Sequence, residues 1–285
     1  MNLPVFSGNI PRAVALDLDG TALNSTSRMS ARTSTAVIRL LDMGVPVVIA
    51  TARPERVIHV LTGPEIANRS SLVHLSGAAA LGRDPLAGEF NWGIDPDEAL
   101  KCWHIVSSSQ LQSRMTVEID GRRFAVSHEG DANELWTLNT ATPDMIVSLD
   151  EALVANPAKV SVNGLGNDLG SIVDQLRSEL SDSSAVVPAL ENTFINIHSA
   201  MATKSGGVKA LLKSKNIPLA DVLSFGDDFP DIDLMMNTGW PVAVANAIPE
   251  VSAAARFQTA SNDDDGVALV LERLIASHEN DSARN

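Results

Sequence analysis

Apolar residues come in short unbroken runs near both ends of the chain and in looser, mixed patterns between them. Ala13-Val14-Ala15-Leu16, Val45-Pro46-Val47-Val48-Ile49-Ala50 and Ser71-Leu72-Val73-His74-Leu75 each read as a strand buried on both faces, the pattern of a parallel sheet. Between these runs the period lengthens. Val37, Leu40 and Leu41 make a helical stripe behind a capping Ser30, with Gly44 at the stop, and Pro54 suits the first turn of the next helix. Strand and helix in alternation predict a parallel sheet with right-handed crossovers.

From about Ala80 to His198 the texture changes. Met115-Thr116-Val117-Glu118-Ile119 and Arg122-Arg123-Phe124-Ala125-Val126 flank Asp120-Gly121, a hairpin signal. Lys159–Val162 and Thr193–Ile197 read as further strands, with a helix over Leu169–Leu180 between them. Alternation resumes with Val222-Leu223-Ser224-Phe225 and Pro241-Val242-Ala243-Val244-Ala245. Helices follow over Ile232–Met236, Pro249–Ala255 and Val267–Ala276, and a polar tail from Ser277 is expected to fray. The predicted fold is α/β: a Rossmann-like parallel-sheet core from residues 1–79 and 199–285, with an α+β domain inserted at 80–198.

Composition narrows the chemistry. The 285 residues, 45% hydrophobic and 20% charged, suit a soluble globular protein of one large or two ordinary domains. A net charge of −14 argues against nucleic acid and anionic membrane surfaces as partners. A small anionic ligand requires a metal ion and a few cations to reverse the potential locally. The first residues lack a signal-peptide pattern, and no apolar run approaches the ~18 residues of a membrane span. Cys102 is the single cysteine, so no internal disulfide is possible and a cytoplasmic location is expected. Its helical setting reads as a packed thiol, and Trp92, Trp103, Trp136 and Phe124 read as core.

Asp17 and Asp19 stand at the end of the first apolar run, where open α/β sheets keep their chemistry. In an extended segment both carboxylates point the same way, Gly20 permits the turn that follows, and two like charges so close call for a cation or a proton. Asp19-Gly20-Thr21 alone is an ordinary turn signal, but that leaves Asp17 unexplained. Two other strand ends reach the same edge, carrying Thr51 and then Asp227 with Asp228. An oxygen-only cluster suits Mg²⁺, and phosphate chemistry is the usual reason for one. Lys204, just ahead of a helical Ala210-Leu211-Leu212, can neutralise a phosphoryl oxygen.

Taken together, Asp17-Leu18-Asp19-Gly20-Thr21, Thr51-Ala52-Arg53, Lys204 ahead of Gly206, and Gly226-Asp227-Asp228-Phe229-Pro230-Asp231 resemble the four motifs of the haloacid dehalogenase superfamily. Within it, they resemble most the Cof-like phosphatases with a large α/β cap. Ala245-Asn246-Ala247 and Asn262-Asp263-Asp264-Asp265-Gly266-Val267 resemble the family's closing signatures. The resemblance implies a Mg²⁺-dependent phosphatase for a small phosphorylated metabolite, sugar phosphates being the leading class. It makes Asp17 the nucleophile that forms an aspartyl-phosphate, and Asp19 the acid that protonates the leaving oxygen and the base that activates water. It assigns Mg²⁺ to the Asp17 carboxylate, the Asp19 backbone carbonyl and the Asp227 carboxylate. Thr51 and Lys204 would hold the non-bridging oxygens, with Asp231 behind them steering Lys204 or a metal-bound water. The inserted domain becomes a cap that selects substrates.

Two departures from the family pattern stand out. Pro230 replaces an Asn, which is expected to loosen the ordering of Asp231, and Ser76-Gly77 stands where Asn-Gly is common. A phosphomutase or phosphotransferase of the same fold, and a non-catalytic metabolite-binding relative, remain as alternatives. The oligomeric state is open. Arg53, Arg122, Arg123, His104, Lys159, Asn192 and His198 can face a substrate, although lone polar residues on such a surface are more often solvated.

Overall fold

Along the chain the strands are β1 (Ala13–Leu16), β2 (Val47–Ala50), β3 (Ser71–His74), β4 (Ala79–Leu81), β5 (Glu89–Asn91), β6 (Arg114–Glu118), β7 (Phe124–Val126), β8 (Lys159–Asn163), β9 (Ser184–Ala189), β10 (Phe194–Ser199), β11 (Val222–Gly226), β12 (Trp240–Ala243) and β13 (Phe257–Gln258). The structure, a computed structural model, describes residues 1–8, 10–128 and 140–282; Trp136, assigned to the core above, lies outside the described residues. Contacts group the chain into two compact units. One comprises Met1–Arg53, Ile58–Phe90 and Thr203–Asn285, the other Pro54–Val57 and Asn91–Ala202.

The first unit is built on a sheet of order β13-β12-β11-β1-β2-β3-β4-β5, parallel from β13 to β3. The unbroken apolar runs are its central strands. Leu16, Ile49 and Phe225 are fully buried, and each such side chain stabilises the fold by about 1.5–3 kcal/mol. The chain runs from β1 through β2 to β3 on one side, then returns as β11 on the other side of β1. The strand order therefore reverses beside β1, where open α/β sheets form their ligand crevice. Leu16 lies opposite both Ile49 and Phe225, so the residues that follow these three strands emerge at one edge.

The second unit carries an antiparallel sheet of order β7-β6-β8-β10-β9. Alternate residues Met115, Val117, Val160, Val162, Ile195 and Ile197 bury one face against the helices Pro96–Ser108, Leu149–Val154 and Gly170–Glu179. Cys102 lies in that core, and burial pushes its thiol up to about 12, the state of an inert packed cysteine. The Asp120-Gly121 hairpin forms with Glu118 opposite Phe124.

Three expectations are corrected. Residues 80–90 belong to the first unit because β4 pairs with β3. Pro54–Val57 joins the second, where the Arg56 guanidinium donates to Glu118 at 2.6 and 2.7 Å and its N–H to the Gly121 carbonyl. The polar end of the chain does not fray at Ser277: the helix Gly266–Ser282 continues through it. Ser277 Oγ donates to the Arg273 carbonyl at 3.0 Å and Glu279 pairs with Arg39, so the extra turns have partners. Among the described residues no helix is long and apolar enough to cross a membrane.

Candidate active site

Asp17 leaves β1 buried, and its Oδ1 accepts from Lys204 Nζ at 2.6 Å. The same ammonium donates to Asp231 Oδ1 at 2.5 Å. Asp231 is fixed from its other side, since Oδ2 accepts the backbone N–H groups of Asp227 (3.0 Å) and Asp228 (3.2 Å). Lys204 owes its position to the start of the helix Lys204–Leu212. Thr203 caps that helix through the Gly206 N–H, and Asp233 accepts both the N–H and the hydroxyl of Ser205 at 2.9 Å. Gly207 lets the helix approach β3, because a Cβ there would meet the Val73 side chain at 2.6 Å.

Asp227 follows β11 and reaches the turn after Asp17. Its Oδ1 accepts from Thr21 Oγ1 at 2.5 Å. Gly20, at φ +75°, faces it so closely that a Cβ would run into the Asp227 carboxylate. Burial first, then the adjacent Asp231 and Asp228, push Asp227 up to about 6 against the Thr21 hydrogen bond. Burial and Asp231 likewise push Asp17 well above the ordinary carboxylate range, with Lys204 offsetting part of that. Burial pulls Lys204 down, but Asp17 and Asp231 outweigh it and hold the ammonium above the ordinary lysine value. These directions share one cause: three buried or half-buried carboxylates are served by one ammonium.

That imbalance tests the site against a metal ion. One oxygen each from Asp17, Asp227 and Asp231 lies within 4.8 Å of the others. Both oxygens of Asp231 are already engaged, which leaves Asp17 and Asp227 as the carboxylates available to a cation. The donors are hard oxygens without imidazole or thiolate, and the local charge is negative. A divalent cation of the Mg²⁺ type fits.

The two acids of the first motif do not share a partner. Asp19 falls inside the turn Leu18–Ala22, where the alternation of an extended strand no longer holds, and its side chain is 42% exposed. It is gripped instead by Arg53, whose Nε and Nη2 donate to Oδ2 and Oδ1 at 2.9 and 2.8 Å. Arg53, one of the residues that can face a substrate by sequence, is thus paired with a carboxylate of the first motif, and its place two residues after Thr51 is the sequence signal for it. Thr51 is fully buried, and its Oγ1 accepts the Arg53 N–H at 3.2 Å. Arg122 pairs with Glu55 and Arg123 with Asp120, so neither is a lone solvated cation.

Pro230 does not loosen Asp231. It occupies the first turn of the short 3₁₀ helix Phe229–Asp231, where a missing N–H costs little, and Asp231 closes a capping box with Asp228. Ser76 sits at φ +63°, ψ +24°, a left-handed conformation that Asn tolerates better, which is a physical reason for Asn at this place. Asn246 and Asn262, named above without a role, bond to the turn that carries Asp19 and to the residue that follows it, Asn246 at the Gly20 carbonyl and Asn262 at the Leu23 carbonyl.

The haloacid dehalogenase-like hydrolase family matches the chain over residues 14–271, and the chain belongs to it. A 5-amino-6-(5-phospho-D-ribitylamino)uracil phosphatase of Bacillus subtilis, YitU, is 29% identical over 93% of this chain and 98% of its own length. The B. subtilis phosphatase YwpJ is 25% identical over 93% of this chain and 100% of its own. Among solved structures, the subclass IIB sugar phosphatase BT4131 shares the fold at a TM-score of 0.75 and 19% identity, over 92% of this chain and 98% of that one.

Proposed function

We propose that this family member, a phosphoric monoester hydrolase, releases phosphate from a small phosphorylated metabolite of the sugar-phosphate class through an aspartyl-phosphate on Asp17. The observation that carries the reading is the Lys204 ammonium held between Asp17 and Asp231 at the carboxyl end of β1. With Oδ1 on Lys204, the Asp17 carboxylate presents its other oxygen to phosphorus. As the new P–O bond forms, the bond to the leaving oxygen breaks, and Asp19 gives that oxygen its proton. Asp19 then takes a proton from water, whose oxygen attacks the same phosphorus. Phosphate departs and Asp17 is restored. Lys204 and Thr51 hold the non-bridging oxygens, and Asp231 keeps Lys204 in place. Asp17 and Asp227, with the Asp19 carbonyl, would hold Mg²⁺, whose role is to screen the nucleophile's charge from that of the phosphoryl group.

The phosphatase names of YitU and YwpJ support hydrolysis, and that of BT4131 supports a sugar phosphate as the class. The second unit, which holds none of these residues, is assigned to substrate choice. Screening phosphorylated metabolites for Mg²⁺-dependent phosphate release tests the reading. Release of inorganic phosphate from a subset of sugar phosphates is expected; transfer of the phosphoryl group to a sugar without release would overturn hydrolysis in favour of a mutase.

A further inference from the structure

The turn Leu18–Ala22 carries Asp19 in an extended conformation and Gly20 in a left-handed one, so it cannot close on its own backbone as a regular helix would. The Leu23 N–H returns to the Leu18 carbonyl at 2.8 Å. One backbone group of this turn and two just beyond it are taken by side chains from the far end of the sequence. Asn246 Nδ2 donates to the Gly20 carbonyl at 2.7 Å, Asn262 Nδ2 to the Leu23 carbonyl at 2.9 Å, and Asp263 Oδ1 accepts the Ser25 N–H at 2.8 Å. The Asn246 side chain also ties the two segments together, since its Oδ1 accepts the backbone N–H of Asn262 at 3.0 Å. The three side chains rise from the segments after β12 and β13, strands of the sheet that carries Asp227, so the turn is tied to a rigid base.

We infer that Asn246 and Asn262 are positioning residues for the acid–base turn, with Asn246 setting the Gly20 peptide and thereby the aim of Asp19. The inference rests on the reading of Asp19 as acid and base. Geometry separates the two parts of the Asn246 amide. Its oxygen holds Asn262 and its nitrogen holds Gly20, so Asn246→Asp keeps the acceptor and loses the donor, while Asn246→Ala loses both. A mispositioned acid matters when the leaving group is an alkoxide and little when it is a phenolate that leaves unprotonated.

The experiment compares wild type, Asn246→Ala, Asn246→Asp and Asn262→Ala in the full chain. It reads kcat and KM for an alkyl phosphate and for 4-nitrophenyl phosphate, together with metal-free amide exchange over residues 18–25. The alkyl-to-aryl kcat ratio is expected to fall about 5–10-fold in each variant, the loss of one directed hydrogen bond of ~1 kcal/mol, with KM changed less than about twofold. Amides of residues 18–25 should exchange faster, and Asn246→Asp should follow Asn246→Ala. An unchanged ratio in active variants, or a wild-type ratio in Asn246→Asp, would overturn the inference even if melting temperatures fall. Unchanged exchange over 18–25 would overturn it independently. A wild-type protein that releases phosphate from neither substrate would instead overturn the phosphatase reading, and the catalytic part of this inference with it.

Discussion

Arg53 and Asp19 meet fork to fork, both carboxylate oxygens accepting from one guanidinium. With both oxygens engaged by the guanidinium, the Asp19 carboxylate has neither free for a leaving group. On the proposal that Asp19 is the acid, Arg53 would position it between turnovers and release it for the proton transfer. Both side chains are more than a third exposed, so the pair is worth at most about 1 kcal/mol. Arg53→Ala should lower kcat on an alkyl phosphate about fivefold. Arg53→Lys, which keeps the charge but loses the fork, should not restore it. Steady-state kinetics on both variants check this, and full activity in Arg53→Lys would reduce Arg53 to a point charge.

Lys204 is the ammonium that Asp17 and Asp231 share, so Lys204→Met should abolish turnover and also destabilise the fold. Breaking a buried pair by removing one partner costs about 3–5 kcal/mol. Because Lys204 is held above its ordinary pKa, its contribution is fully present below about 10.4 and is lost only as pH rises beyond that. Wild type should thus show no stability loss from this group near neutrality. In Lys204→Met the Asp17 carboxyl, which burial and Asp231 already hold above the ordinary range, loses its cation, and stability should rise as pH falls below neutral because Asp17 can take a proton. Thermal melts across that range decide; a pH-independent deficit would count against the pairing.

Asp227, pushed up to about 6, implies a proton–metal competition. A carboxylate whose folded pKa lies above its unfolded value makes an unfavourable contribution that grows as pH rises from about 3.9 to about 6 and stays constant above. Mg²⁺ bound at Asp227 would offset that contribution. The rise in melting temperature on adding Mg²⁺ should be largest at pH 7–8 and should shrink below about 6. A Mg²⁺ effect that is flat from pH 5 to 8 would mean that Asp227 does not bind the ion.

Ser76 in its left-handed conformation suggests a local gain. Ser76→Asn should stabilise the protein by about 0.5–1 kcal/mol, read as a melting temperature higher by ~1–3 °C. A lower melting temperature would show that the serine hydroxyl contributes more than the backbone conformation costs.

What was legible in the sequence was whatever local order can carry. The apolar run 13–16 names its own strand, and because parallel strands expose their chemistry at one end, the sequence alone places Asp17, Thr51 and Asp227 on one sheet edge. The Asp120-Gly121 hairpin was visible for the same reason. The shared direction of Asp17 and Asp19 was not, because the turn begins at Leu18 and breaks the alternation on which that expectation depended. The Asn246 tether joins residues far apart in sequence, and spacing along a chain carries no sign of such a meeting. β9 escaped notice because its alternation is weak and Pro188 lies within it. The allocation of Pro54–Val57 depends on the buried Arg56–Glu118 pair, which no composition shift announces.

The central claim is that Asp17 becomes covalently phosphorylated. It is tested most directly by rapid acid quench of the enzyme during turnover, reduction of any acyl phosphate with borohydride, and peptide mass spectrometry. The account predicts a reduced residue at Asp17, present only with substrate and Mg²⁺, and absent from a folded but inactive Asp17→Asn protein. Modification at another carboxylate, or phosphate release by Asp17→Asn at the wild-type rate, would contradict it.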